Sequence, residues 1–210
     1  MLKGQDTQYW AKQYGTYGGL LGGTVIGAVS DLSSTFYNPG AMAFSKESSL
    51  ILTTNSLQFI YLNFEKVLDT EISLDSWYTN ASQGIFALRL PFSWLGDDQL
   101  VVSYISRQDF QFRSSGSSTT PYPSEKYLSN QLQIDQSLVE NWFGVTWSKP
   151  LSERIGFGVT MYVPYRSQRV LKQSLIISND NINSTQNLIS ILDLDYYNIR
   201  LLWKAGISAH

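Results

Sequence analysis

The sequence predicts an all-β protein, an antiparallel β-barrel of the transmembrane type, preceded by an N-terminal segment of different character. Three observations lead to this prediction. Apolar and polar residues alternate with period two, the alternating runs are long, and short turns alternate with long polar connections. The 210 residues are 14% aromatic and only 15% charged, which is typical of neither a disordered chain nor a bundle of membrane helices.

The first element in chain order is an N-terminal unit, residues 1–45, that neither a strand nor a helix explains. Its most distinctive part is residues 31–44, DLSSTFYNPGAMAF. Pro39 is disfavoured in the middle of a strand, and Asn38, Pro39 and Gly40 together are disfavoured inside a helix. We therefore predict a stiff, irregular segment here, ahead of the sheet.

Residues 46–210 carry the sheet, and about six strands can be predicted from their alternation. The clearest is RIGFGVTMYVPYR, where every second residue is apolar and the others are small or polar. The apolar face consists of Ile155, Phe157, Val159, Met161, Val163 and Tyr165. The predicted strands lie at 48–66, with a phase slip near Thr53 to Asn55, then at 84–90, 99–113, Val139 to Trp147, 154–166 and 196–206.

The strand at 99–113 is predicted to keep one apolar face along its whole length. On that face lie Leu100, Val102, Tyr104, Phe110 and Phe112. The opposite face carries Ser103, Arg107, Asp109, Gln111 and Arg113.

The connections and the strand lengths favour a membrane barrel over a soluble antiparallel sandwich, which is the alternative. Short turns are predicted at 91–98 and 149–154, and long polar loops at 67–82, 114–130 and 172–187. Strands of roughly 10–16 residues exceed the ~5–6 residues that are usual in soluble sheets, and a tilted membrane strand needs only ~9–11.

Aromatic residues at the predicted strand ends agree with interfacial girdles around an apolar belt. Those near the short turns are Trp94, Trp147 and Trp203, and those near the long loops are Phe110, Phe112, Tyr165 and Tyr197. In such barrels short turns usually face the periplasm and long loops the exterior. Because about six strands are fewer than the eight or more of a bacterial single-chain barrel, we expect the sequence to be part of a longer one.

Charge and composition argue against several function classes. The formal net charge of −2 provides no basic face, so no nucleic-acid partner is expected. The chain has no Cys, and its single His is His210, so thiolate metal sites and a Ser–His nucleophile pair are not expected. Asp193 and Asp195 lie on one face of a strand end, and Asp97 and Asp98 lie in a turn. Paired carboxylates can act as acid and base or bind calcium, but at such positions they are usually solvated. We therefore predict no enzyme activity, no cofactor and no metal site.

Residues 14–44 resemble the start of the FadL-type family of outer-membrane transporters for long-chain fatty acids. That family tends to show a Gly/Ala-rich segment, then Asp-x-Ser-x-x-aromatic-x-Asn-Pro-Ala-Gly, and then a small apolar stretch. The residues that fit are Asp31, Ser33, Phe36, Tyr37, Asn38 and Pro39. Gly40 and Ala41 stand where the family has Ala-Gly. The rest of the chain agrees with the family in architecture alone.

The resemblance implies a barrel in the bacterial outer membrane with an N-terminal hatch folded inside its lumen. It implies passive uptake of hydrophobic or amphipathic small molecules such as fatty acids, by a monomer that contacts outer-membrane lipid. Asp31, Ser33, Phe36, Tyr37, Asn38, Pro39 and Gly40 are then gate residues. Exit through a kinked third strand is also implied, although 99–113 contains no Gly or Pro. The alternative is a structural barrel of a secretion machinery without transport activity.

Arginines on the polar faces are the candidate ligand-binding residues of the lumen. The set predicted by period two is Arg89, Arg107, Arg113, Arg166 and Arg200. At about 3.3 Å per residue, Arg107 and Arg200 lie near mid-height, where a guanidinium can bind a carboxylate head group while Tyr162 covers an acyl tail. The alternative is that these arginines pair with Asp109, Glu140 or water to fill a polar lumen.

Overall fold

The computed structural model describes residues 14, 15, 18, 31–45, 49–54, 57–65, 72–81, 84–122, 126–180 and 184–209. This part of the chain is mostly antiparallel sheet with little helix, which confirms the all-β class. Its strands are β1 (Leu50–Thr54), β2 (Leu57–Phe64), β3 (Leu74–Ala81), β4 (Gly84–Arg89), β5 (Gln99–Tyr122), β6 (Lys126–Pro150), β7 (Ile155–Asp180), β8 (Ser184–Ile199) and β9 (Leu202–Ala209).

The described helical elements are short. A single α-helical turn, α1, spans Ser34–Tyr37, and 3₁₀ turns span Ala41–Phe44 and Ser93–Leu95. None of the helices in the described ranges is both long and apolar enough to cross a membrane. Most of the glycine-rich stretch before residue 31 lies outside the described residues.

The main sheet has the order β1-β4-β5-β6-β7-β8, and β9 also pairs with β7. All of these pairs are antiparallel. β2 and β3 form a separate two-stranded sheet. Within the described residues the main sheet is open, with β1 at one edge and β8 and β9 at the other.

The predicted short turns are confirmed, whereas the three predicted long loops are wrong, since β3 occupies Leu74–Ala81 of the loop predicted at 67–82. β6 ends at Pro150 and β7 begins at Ile155, and β4 and β5 are joined through the turn at Ser93–Leu95. The chain at 114–130 and 172–187 instead continues the β5–β6 and β7–β8 ladders almost to their tips, so β5, β6 and β7 reach 24, 25 and 26 residues. The reason is that a hairpin pairs its backbone groups across strands whatever its side chains, so polar composition does not prevent a ladder.

On β6 and β7 the burial of the sheet faces is the reverse of that in a soluble sandwich, whereas β4 and β5 bury apolar residues such as Ile85, Val101 and Ile105 on the same side. On β7 the covered face carries glycines and polar residues, while the apolar face of Ile155, Val163 and Tyr165 is exposed. β6 repeats the pattern, because Thr146 and Ser148 are buried whereas Phe143 is 55% exposed. The covered face, which we call the inner face, contacts the N-terminal segment.

A bulge at Arg107 contradicts the prediction of one continuous face for 99–113. Ser106 pairs with Asn141 and Gln108 pairs with Glu140, so Arg107 is an extra residue on β5. Such a residue exchanges the two faces beyond it. Phe112 is therefore buried on the inner face and is not a girdle residue. The Arg113 side chain is 80% exposed and pairs with Asp135 at 2.9 Å, so Arg113 is not a lumen residue.

The β2–β3 hairpin leaves the main sheet and folds over its inner face. Leu74 packs with Phe112 and Leu132 in an apolar cluster, and Leu132 shares the face of β6 that carries Thr146. The Ser76 hydroxyl accepts a hydrogen bond from the Arg113 backbone N–H at 3.1 Å. The predicted phase slip near Thr53 to Asn55 falls at the break between β1 and β2, and residues 55 and 56 lie outside the described residues.

The edge strand that pairs with β7 is interrupted between β8 and β9, at the position opposite Pro164 of β7. β8 and β9 keep one register against β7, because Tyr165 pairs with Ile199 and Tyr162 pairs with Leu202. The Pro164 carbonyl accepts a hydrogen bond from the Arg200 backbone N–H at 3.1 Å. Since the N–H and C=O of a ladder residue point to the same neighbour, the donor that proline lacks would have faced this edge strand. The result is a local gap between β8 and β9.

Candidate functional site

Residues 31–45 form a compact segment, here called the N-terminal knot, whose backbone is satisfied by local bonds. The Asp31 carboxylate accepts hydrogen bonds from the backbone N–H and the hydroxyl of Ser33. The Ser34 hydroxyl donates to the Asp31 carbonyl at 2.7 Å, and the Asn38 side-chain oxygen accepts from the Gly40 N–H at 3.0 Å. These are the local bonds that Asp, Ser and Asn favour in turns, and they hold an irregular chain in one shape.

The knot lies on glycines of the inner face. A Cβ atom on Gly158 of β7 would stand 2.2 Å from the Pro39 carbonyl oxygen, and one on Gly206 of β9 would stand 2.1 Å from the Asn38 side-chain oxygen. Asn38 also donates from Nδ2 to the Ile207 carbonyl at 3.1 Å. The inner face of the sheet beneath the knot is here called the wall. The glycines are needed because the knot approaches this wall closely.

Polar side chains of the wall hold the knot through its main-chain carbonyls. The Thr35 carbonyl accepts hydrogen bonds from the Tyr162 hydroxyl at 2.7 Å and from the Thr160 hydroxyl at 3.2 Å. Lys204 donates from Nζ to the Phe36 carbonyl and lies 4.0 Å from the Phe36 ring centre. Tyr162 thus anchors the knot from a fully buried position, and the predicted role of covering an acyl tail does not fit this placement.

Two tyrosines connect the knot to the preceding glycine-rich stretch and to β5. The Tyr37 hydroxyl accepts a hydrogen bond from the Tyr14 backbone N–H at 2.7 Å, and the Tyr14 hydroxyl donates to the Ser106 carbonyl at 3.3 Å. Burial raises the pKa of Tyr14 to about 12 and also raises the pKa of Tyr37. Both phenols are therefore neutral near pH 7 and serve as hydrogen-bonding groups.

A cleft of about 420 Å³ adjoins the knot where the irregular parts of three strands meet. We call it the arginine cleft. Its lining residues are Arg107, Gln108, Glu140, Trp142, Pro164, Arg166, Arg200, Leu201 and Leu202. The structure thus brings Arg107 and Arg200 together, with Arg166. Arg89 lines a separate cavity beside the 91–98 turn.

The bulge in β5 directs Arg107 into the arginine cleft, where its guanidinium packs against two aromatic rings whose centres are 6.2 Å apart. Its central carbon is 4.6 Å from the Trp142 ring centre and 5.5 Å from that of Phe36 in the knot. Arg107 is 6% exposed. Cation–π contacts of a desolvated guanidinium are among the stronger ones, so Arg107 links the wall of the cleft to the knot.

Glu140 of β6 is the acidic residue of the cleft and is bonded on both oxygens. One oxygen accepts from the Trp142 indole N–H at 2.7 Å, and the other lies 3.5 Å from Arg166 Nη1. The Glu140 and Arg166 side chains are 8% and 20% exposed. For Arg166 the structure therefore agrees with the alternative prediction, in which a lumen arginine pairs with a carboxylate such as Glu140.

The sequence reasoning did not find Trp142, Pro164 or Lys204. A proline inside an alternating run was the available signal for Pro164, because proline removes a ladder donor. Trp142 and Lys204 lie on predicted polar faces and gave no signal of their own, since their partners come from the knot and from other strands.

Comparison with known proteins adds no family to this description. No protein-family model, no curated protein and no solved structure matches the chain. The fold and the site define an antiparallel all-β protein whose inner face holds a compact N-terminal knot beside a basic cleft. The FadL-type resemblance of residues 14–44 stays a prediction.

Proposed function

We propose that this protein is an outer-membrane β-barrel that takes up hydrophobic or amphipathic small molecules passively, with the N-terminal knot as its hatch. The observation behind the proposal is the reversed burial of β6 and β7. Apolar residues such as Phe143 and Trp147 are exposed, whereas small and polar residues such as Thr146 and Gly158 are covered. A membrane barrel turns its apolar face to lipid and its polar face to the lumen.

The strand lengths support the membrane location. A tilted strand needs ~9–11 residues to cross a bilayer, and β5, β6 and β7 exceed this with 24, 25 and 26 residues. The surplus residues extend the β5–β6 and β7–β8 hairpins as ribbons beyond the belt on one side. The β5–β6 ribbon is polar, whereas the β7–β8 ribbon also exposes Leu188, Ile189 and Ile191. In lipid the edges of the described sheet need partner strands, because each unpaired amide costs several kcal/mol there.

The contacts between the knot and the arginine cleft support a gating role. Phe36 of the knot touches the Arg107 guanidinium, and its carbonyl accepts from Lys204. A ligand head group that binds Arg107 competes with the contact between Arg107 and Phe36. Ligand binding and the position of the knot are then coupled, because both depend on the same guanidinium.

Uptake by the full-length protein in liposomes tests the proposal, with a panel of labelled fatty acids and neutral hydrocarbons. Pro39→Ala, Asn38→Ala and Gly158→Ala disturb the knot or its seat and should change the uptake rate while the barrel stays folded. Ala205→Val adds bulk on the outward face of β9 and should leave the rate unchanged.

Two outcomes would contradict the proposal. If the wild-type protein moves no compound of the panel, the structural barrel without transport replaces it. If uptake occurs but none of the three knot variants changes its rate, the knot is a fixed plug. The dense bonding of Thr35 and Asn38 to the wall is the feature that would then explain its rigidity.

A further inference from the structure

We propose that the β2–β3 hairpin carries a binding site for a neutral sugar ring, a function that goes beyond the proposed uptake and does not depend on it. The site lies on the side of the hairpin that points away from the main sheet, here called the hairpin face. The alternation of the two strands places six exposed residues on this face, Phe59, Tyr61, Asn63, Asp75, Trp77 and Thr79.

The opposite side of the hairpin is fixed on β5 of the main sheet. Phe64 contacts Phe112 edge to face, with ring centres 5.5 Å apart. The two backbones also approach closely, since a Cβ atom on Gly116 would stand 2.6 Å from the Ser73 carbonyl oxygen. The hairpin face is therefore held in place before any ligand arrives, and such preorganisation lowers the cost of binding.

Two aromatic rings provide a stacking surface on the hairpin face. Trp77 and Tyr61 lie directly opposite each other across the hairpin, with ring centres 4.5 Å apart and 36° between their planes. Trp77 is 74% exposed and Tyr61 is 47% exposed. The C–H bonds on one side of a pyranose ring are weakly positive and pack favourably on the negative face of an aromatic ring.

A carboxylate and an amide lie beside this aromatic pair. Asp75 Oδ1 accepts hydrogen bonds from the Tyr61 hydroxyl at 3.0 Å and from Asn63 Nδ2 at 2.7 Å. Within the described residues, the side-chain bonds of Asp75 and Asn63 go to each other and to Tyr61. Asp75 Oδ2 and Asn63 Oδ1 are thus acceptors for sugar hydroxyls. Because Tyr61 belongs to the aromatic pair, a ring packed on the pair lies next to both acceptors.

The mixture of aromatic and polar groups argues against other occupants of the hairpin face. An alkyl chain would cover the oxygens of Asp75 and Asn63 without giving them hydrogen bonds, which is costly. An anion would meet the Asp75 carboxylate and no cation on this face. A protein partner needs about 20–30 residues on each side of a stable interface, and six are too few. A neutral ring with a C–H face and a rim of hydroxyls satisfies both kinds of group.

Isothermal titration calorimetry on the full-length protein tests the proposal, in a detergent without a sugar head group. The probe is cellohexaose, a neutral chain of glucose rings whose equatorial hydroxyls leave C–H bonds on both ring faces. Sorbitol, an open-chain polyol, is the control ligand. Cellohexaose should bind and sorbitol should not, because sorbitol offers hydroxyls without a flat C–H face to stack on the rings.

Variants of the hairpin face locate the binding. Trp77→Ala should weaken cellohexaose binding at least about tenfold, and Asp75→Asn about fivefold, because the acceptor keeps its shape and loses its charge. Trp94→Ala is the matched control, since Trp94 is also 74% exposed and stacks on Phe92 with ring centres 5.6 Å apart. It should bind cellohexaose as the wild type does. The same thermal unfolding midpoint in all variants shows that each is folded.

Iodide quenching of tryptophan fluorescence measures whether the face is open in the full-length protein. The difference between the wild type and Trp77→Phe gives the signal of Trp77 alone. Iodide should quench this signal, and cellohexaose should protect it. A Trp77 signal that iodide does not quench without sugar would mean that another part of the chain covers the hairpin face, and the proposal would be wrong.

The remaining outcomes also separate this inference from the proposed function. Absence of cellohexaose binding, or binding that survives Trp77→Ala, overturns the sugar site. An equal loss of binding in Trp94→Ala would show that any exposed indole is enough, and displacement of cellohexaose by a neutral alkane would show an apolar site. Either result overturns the inference. None of them bears on uptake, which the liposome assay decides independently.

Discussion

The Thr35 carbonyl of the N-terminal knot has two donors from β7, the hydroxyls of Tyr162 and Thr160. The wall thus recognises the main chain of the knot at this point and not its side chain. Thr160 also exchanges a hydrogen bond with Thr146 at 2.8 Å, which fixes the hydroxyl in the wall. A buried carbonyl that loses all its donors carries the full cost of desolvation, whereas one that keeps a donor loses less.

Tyr162→Phe should therefore lower the free energy of unfolding by about 0.5–1.5 kcal/mol, because Thr160 still satisfies the carbonyl. Adding Thr160→Val should cost more than the sum of the two single changes, since Thr35 then has neither donor. Tyr165→Phe, on the exposed face of the same strand, is the control. Denaturant unfolding in detergent measures the wild type, the two single variants, the double variant and the control. Strict additivity of the two single changes would show that the shared carbonyl does not matter.

At the scale of elements, the interruption between β8 and β9 is explained by a single residue of the neighbouring strand. Pro164 has no N–H to offer to the edge strand, and the gap opposite it opens beside Arg200. The bulge in β5 places Arg107 on the other side of the same cleft. Irregularities of two ladders thus direct two arginines to one place.

Pro164→Ala should restore a donor to the ladder and close the gap. The new amide at position 164 should exchange slowly with solvent, because it faces the edge strand, and amphiphile uptake should slow as the cleft narrows. The change in stability should be small, because the gain of one hydrogen bond offsets the lost rigidity of proline. Pro91→Ala in the exposed turn is the control, and its new amide should exchange fast. Fast exchange at 164 would contradict this account of the gap.

At the scale of the whole molecule, exposed apolar residues along the outward face of the main sheet form the proposed membrane belt. Phe143→Lys places a charge in this belt and should lower the free energy of unfolding in lipid by about 2–4 kcal/mol. Gln133→Lys lies on the outward face of the same strand, in the polar ribbon, and should change stability by less than about 0.5 kcal/mol. Equal, small effects of the two substitutions would favour a soluble sheet.

The orientation of the molecule can be measured because the chain contains no Cys. Short turns of membrane barrels usually face the periplasm. Ser178→Cys in the β7–β8 ribbon should therefore react with a membrane-impermeant maleimide on intact cells. Ser152→Cys in the short turn should react only after the outer membrane is permeabilised. Labelling of the short-turn variant alone on intact cells would mean that the topology is inverted.

The sequence by itself determined the features that depend on neighbours along the chain. Period two predicted an all-β fold and the two faces of the strand at 154–166, and Asn38, Pro39 and Gly40 predicted an irregular, stiff segment. These predictions succeed because side-chain alternation and the limits that proline sets on the backbone are local properties. The short turns were found for the same reason, from their Pro, Gly and Asp residues.

Only the tertiary structure decided the register between strands and the packing of the knot on the wall. The extra residue at Arg107 becomes visible when β5 is paired with β6, and it reversed the expected faces of Phe112 and Arg113. The pairing of Glu140 with Arg166 and the seat of Pro39 on Gly158 join residues that are far apart in the chain. Alternation says which residues share a face of one strand. Which partners meet across strands is set by ladder hydrogen bonds and close packing, which no local pattern encodes.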